Sequence, residues 1–160
     1  VDAPLDQGTE VNLHAPALIP DDYLPDVNSR LILYKRIAAA TNEKELRNLQ
    51  VEMIDRFGLL PRQIDNLFQV SRLRQRAQEL GIHTIDAGPE GGSIEFKGTT
   101  PVNPLNLVTL VQSDPRSYKL AGATRLRFER QLPDIHDRYR FLDQLMDALA
   151  TDPRKKSQHG

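Results

Sequence analysis

Between residues 24 and 82, apolar positions recur every three or four residues in three consecutive stretches, each bounded by residues that start or stop helices. In the first, Leu31, Tyr34, Ile37 and Ala38 share one helical face, and Asp26 or Asn28, after Pro25, can cap the free backbone N–H groups. The second opens with Asn42 and Glu45 at the spacing of a capping box. Leu46, Leu49, Met53 and Phe57 form its stripe, and Gly58 supplies the left-handed residue that closes a helix. The third starts at Leu60-Pro61 and carries Ile64, Leu67, Phe68, Leu73, Ala77 and Leu80 toward Gly81.

The period then shortens to two. Residues 82–86 and 93–97 alternate on either side of the breaker cluster 87–92, which predicts a hairpin with a long, mobile turn. A helix is expected over 103–113, with either Leu105, Val108 and Val111 or Leu107, Leu110 and Val111 as its apolar face; Asp114-Pro115 stops it. Residues 118–120 and 126–129 form a second strand pair around Gly122, with Arg125 and Arg127 on the side away from Leu126 and Phe128. The last helix begins near Pro133-Asp134 and aligns Ile135, Tyr139, Leu142, Leu145, Met146 and Leu149 for docking on the sheet. Upstream, residues 10–15 alternate like a short strand until Pro16 and Pro20 interrupt. The expected fold is α+β: three N-terminal helices, then a small, mainly antiparallel sheet with two further helices, spanning residues 10–150 as one domain. Residues 1–9 read as a linker and 151–160 as a disordered tail.

Composition narrows the chemistry. The chain has 160 residues and no cysteine, which excludes disulfides and thiolate metal sites and fits a reducing, cytoplasmic setting. No apolar run approaches a membrane span. With 21 basic and 22 acidic side chains, the overall field neither draws nor repels nucleic acid, so partners must be sought in local patches. No G-x-x-x-x-G-K-[ST] or G-x-G-x-x-G motif is present, and the four histidines lie in four separate elements; neither a cofactor, a metal nor a catalytic constellation is expected.

Two charged features remain. Glu52, Asp55 and Arg56 share a face at the end of the second helix, where acids oppose the helix dipole; an external cationic partner, or an internal pair with Arg56 or Arg47, would relieve them. The second feature is basic: Arg72 and Arg76, four apart on the third helix, with Arg125 and Arg127 on a strand, could track phosphates as an alternative nucleic-acid face, although no aromatic side chain interleaves them.

The runs IPDDY (19–23), PDVNSRL (25–31), YKRIA (34–38) and EMIDRFGLLP (52–61), followed by AQELGI, GGSIEF and TRLRF, resemble the C-terminal domain of the bacterial transcription-repair coupling factors over nearly the whole chain. The resemblance implies a non-catalytic, autoinhibitory domain of an ATP-driven DNA translocase that displaces stalled RNA polymerase in transcription-coupled excision repair. The motor motifs lie upstream and are absent here, so no ATPase is expected of this chain. It also implies packing against an N-terminal UvrB-like module of the same protein, masking the surface that binds UvrA, with Glu52, Asp55 and the adjacent Arg56 at the interface. RNA polymerase and DNA would be engaged only by the full-length protein.

Overall fold

A computed structural model describes residues 8–153; most of the expected linker and tail, residues 1–7 and 154–160, lies outside the described residues. The chain divides into two compact units, a helical one over Ala15–Gln75 and a sheet unit made of Val1–His14 together with Arg76–Gly160.

The helical unit holds α1 (Val27–Ala39), α2 (Glu43–Phe57) and most of α3 (Arg62–Glu79). Asp26 is the cap of α1, its carboxylate accepting from the Ser29 amide at 2.9 Å and hydroxyl at 2.7 Å. The core is built from Leu33 and Ile37 of α1, Leu46, Leu49 and Met53 of α2, Ile64 and Phe68 of α3, and Ile19 and Leu24 ahead of them. Leu31, expected inside, is 51% exposed. The sequence LILY offers two overlapping stripes, and the one chosen puts Leu33 inward, while the Tyr34 hydroxyl accepts from the Ile19 amide at 2.7 Å and so fastens the leading segment.

At α2 half of the expected capping box forms. Asn42 accepts from the Glu45 amide at 2.9 Å, but the Glu45 carboxylate turns to Thr41, which offers it both an amide at 2.7 Å and a hydroxyl at 3.0 Å. Gly58 closes the helix with φ 98°, as its position predicts.

The sheet unit contains β1 (Glu10–Asn12), β2 (Ile82–Gly88), β3 (Gly91–Phe96), α4 (Pro104–Ser113), β4 (Tyr118–Ala121), β5 (Arg125–Glu129) and α5 (Ile135–Ala150). Its strand order is β1-β2-β3-β5-β4, antiparallel throughout except that β1 runs parallel to β2. The expected α+β architecture is therefore present, with a fifth strand joined to the two hairpin pairs. On one face Val11, Ile85, Ile94, Leu126 and Leu120 stand in one row, and Ala87, Gly92, Phe128 and Tyr118 in the next. α5 covers this face: the Phe141 ring lies 5.0 Å from that of Phe128 and 6.4 Å from that of Tyr118. α4 turns Leu107, Leu110 and Val111 partly inward, leaves Leu105 and Val108 exposed, and uses buried Asn106 to donate to the Leu149 and Thr151 carbonyls at 3.1 and 2.7 Å, capping the end of α5.

The long turn expected over residues 87–92 is not formed. The strands continue to Gly88 and from Gly91, leaving only Pro89-Glu90 between them. The cluster is rich in glycine because backbone crowds it on both sides: a Cβ on Gly91 would overlap the Phe128 carbonyl oxygen, and one on Gly92 that of Asp86. Thr9, at the edge of the expected linker, is buried and donates its hydroxyl to the Ile82 carbonyl at 2.7 Å.

Candidate functional site

The acidic end of α2 is an ordered charged stripe. Glu45, Asn48, Glu52 and Asp55 follow one another at helical spacing along the flank of the buried Leu46, Leu49 and Met53 face. Glu52 receives a bidentate fork from Arg36 of α1, Nη1 at 2.6 Å and Nη2 at 2.8 Å, and a longer contact from Arg56 at 3.3 Å. The main partner is thus neither Arg56 nor Arg47, but a cation on the neighbouring helix. A spacing argument along one helix has no means of finding Arg36, because it depends on how α1 and α2 pack. Arg56 also lies over the Phe57 ring, 4.9 Å from its centroid.

Asp55 is exposed and, among the described residues, has no hydrogen-bond or ion-pair partner. Beside it Val51 and Ile54 are exposed, and Leu59, just past the helix, is 84% exposed. A hollow of about 360 Å³ opens alongside, bordered by Arg36, Asn48 and Glu52. The surface therefore presents one free carboxylate, one carboxylate already paired, and an uncovered apolar margin.

The Arg36 fork, reinforced by Arg56, lowers the Glu52 carboxyl from its ordinary 4.5 to about 2. Because the folded value lies below the unfolded one, the contribution of this pair to stability is complete above pH 4.5 and is lost as the pH falls toward 2. An NMR titration of the side-chain carboxyl should place the Glu52 midpoint near 2 and, after Arg36→Gln, return it toward 4.5. A midpoint unmoved by that substitution would remove Arg36 as the cause.

The four arginines of the alternative basic face are dispersed. Arg72 donates Nε to Glu43 at 2.7 and 2.9 Å and Nη2 to Gln50 at 2.8 Å, within the helical unit. Arg76 is bound by Asp143 at 2.6 Å and Asp147 at 2.7 Å, on the α5 side of the sheet. Arg125 and Arg127 project from the opposite, open face. There Arg125 pairs with Glu95 at 2.9 Å, and the Thr124 hydroxyl and Arg125 together hold that carboxyl below its ordinary range. Of the four, Arg127 alone has no carboxylate partner among the described residues.

Comparison with known proteins agrees with the resemblance carried by the sequence. The chain is 48% identical over 143 residues to the transcription-repair-coupling factor of Escherichia coli K12, an alignment covering 89% of this chain and 12% of that protein. It is 45% identical over 144 residues to the one from Haemophilus influenzae, covering 90% and 13%. The chain thus spans about an eighth of the length of these relatives. Its fold is that of a crystal structure of the C-terminal domain of transcription-repair coupling factor, with a TM-score of 0.75 at 21% identity over 89% of this chain and 91% of that one. Residues 13–107 match the TRCF domain, and the chain belongs to that family.

Proposed function

We propose that this domain is a non-catalytic, autoinhibitory latch of a transcription-coupled repair translocase. The end of α2 docks on the N-terminal UvrB-like module of the same protein and covers its UvrA-binding surface, while RNA polymerase and DNA are engaged elsewhere in the full-length chain. The observation that carries this reading is the free carboxylate of Asp55 beside the exposed side chains of Val51, Ile54 and Leu59. A guanidinium from the partner would find an acceptor in Asp55 and apolar contact around it. Glu52 takes part by exchange, since a second arginine can share its oxygens with Arg36. Exposed charge pairs of this kind are worth about 1 kcal/mol or less each. Tethering within one chain raises the effective concentration enough for such a contact to hold, yet it can still be released.

The geometry selects the variant that tests it. Glu52→Arg would also strand Arg36 and Arg56, so Asp55→Arg is the cleaner charge reversal, with the Glu52→Arg/Asp55→Arg pair as the stronger one. In the full-length protein, Asp55→Arg should raise UvrA affinity about five-fold and the pair at least ten-fold, with an unchanged circular dichroism spectrum. UvrA affinity equal to that of the parent in correctly folded variants would sink the latch.

A further inference from the structure

The open face of the sheet keeps the cross-strand pairing rule in one row and breaks it in the next. Thr84, Glu95 and Arg125 stand side by side, and Glu95 answers Arg125. In the adjoining row Asp86, Ser93, Arg127 and Lys119 face one another in register, and Asp86 is engaged by His14 at 2.8 Å. That leaves Arg127 of β5 directly opposite Lys119 of β4. Like charges in this position destabilise a strand pair. Neither has a carboxylate partner among the described residues, nor does Arg116, which borders the same surface from the turn before β4.

These cations border a hollow of about 820 Å³. Part of its floor exists because Gly88 and Gly91 are opposite each other in the β2–β3 register and contribute no side chains. The volume is that of a small-molecule site.

We infer that this hollow binds a phosphate monoester or diphosphate group, seated between Arg127 and Lys119 with Arg116 closing over it. Directly opposed residues place their Cβ atoms about 5 Å apart, so an arginine fork and a lysine ammonium can converge on one tetrahedral dianion. Such a group supplies the negative charge that no carboxylate brings to Arg127 and Lys119, since Asp86, at the far end of the row, is engaged by His14. Asp86, Glu90 and Glu129 also border the hollow, and they select for a compact anion held at the Arg127–Lys119 end. A nucleic-acid strand laid along the sheet would bring successive phosphates against these carboxylates, whereas a single phosphate or diphosphate would not. The inference is independent of the latch, which resides on α2.

The test is a titration of this chain with inorganic pyrophosphate at constant ionic strength, followed by amide chemical shifts. Saturable shifts at Arg116, Lys119 and Arg127, half-complete below about 10 mM, are expected. Lys119→Gln/Arg127→Gln should weaken binding at least ten-fold, while Arg125→Gln leaves it within about two-fold. Absence of saturable shifts, persistence of binding in the double variant, or an equal response to sulfate, meaning an adventitious ion only, would each overturn the proposal. A nucleoside diphosphate and a phosphoserine peptide, titrated in parallel, distinguish a free metabolite from a modified side chain; a saturable response to either supports the site. A short DNA duplex that binds more tightly than both and loses that binding in the double variant would replace the compact anion with a nucleic-acid backbone.

Discussion

Replacing Arg138 with methionine should cost the fold about 3–5 kcal/mol, because three main-chain acceptors lose their donor at about 1–3 kcal/mol each, the part-buried Pro133 carbonyl losing least. The guanidinium is only 5% exposed, and its hydrogen-bond partners are all main-chain carbonyls: Nε donates to Leu132 at 2.9 Å, Nη1 to Leu13 at 2.8 Å and Nη2 to Pro133 at 3.1 Å. Methionine would retain much of the stem's volume but leave three acceptors without their donor. The Leu13 bond joins residues 125 apart in sequence and ties the segment after β1 to α5. Thermal unfolding should show a midpoint lowered by roughly 10–20 °C. Arg138→Lys should fall between the two, because an ammonium cannot reproduce the planar fork. A shift of less than about 2 °C for the methionine variant would mean that the carbonyls find other partners.

The second large effect is expected at Gly92. Alanine there adds one carbon that would overlap the Asp86 carbonyl oxygen and lie 2.9 Å from the Ala87 Cα, both on the neighbouring strand. These are backbone atoms of a paired ladder, so the clash cannot be relieved by turning a side chain. The β2–β3 pair must part, at a cost of about 3 kcal/mol or more. Gly98→Ala is the internal control, since a Cβ at that position meets nothing within 4 Å and its stability should stay within about 0.5 kcal/mol of the parent. Equal stability of the two variants, measured by denaturant unfolding, would refute the close-approach explanation.

Helix ends were legible because they are local. Asp26, Asn42, Gly58 and Asp134 act through residues at most four positions away, and each stands where a cap or stop would be sought. The C-terminal part of the α5 face, Leu142, Leu145, Met146 and Leu149, was also readable, but the stripe that runs through Ile135 and Tyr139 leaves out buried Arg138 and Phe141, although Arg138 stands four before Leu142. The signal was its position in the stripe; its three carbonyl partners depend on tertiary structure. The glycines of the β2–β3 hairpin misled for a related reason. Glycine serves loose turns and tight backbone approaches alike, and only the strand arriving beside it tells them apart. At the candidate interface the acidic residues could be found from helical spacing and the dipole. The Arg36 fork, which decides that Asp55 rather than Glu52 is the free carboxylate, required α1 and α2 to be packed.

The parallel pairing of β1 with β2 has a consequence for how the chain assembles. Glu10 lies opposite Thr84, so the whole helical unit is threaded between two hydrogen-bonded neighbours of one sheet. Closing so long a loop while it is unstructured costs about 4 kcal/mol of chain entropy, which offsets most or all of what a three-residue strand returns in hydrogen bonds. Once the three helices have condensed, their own core sets the distance between the ends of the insert, and much of that entropy has already been surrendered. The helical unit should therefore act as a folding scaffold as well as an insertion, and β1 is expected to join the sheet last and leave it first, so that amide exchange in Glu10–Asn12 should be faster than in β3 or β5.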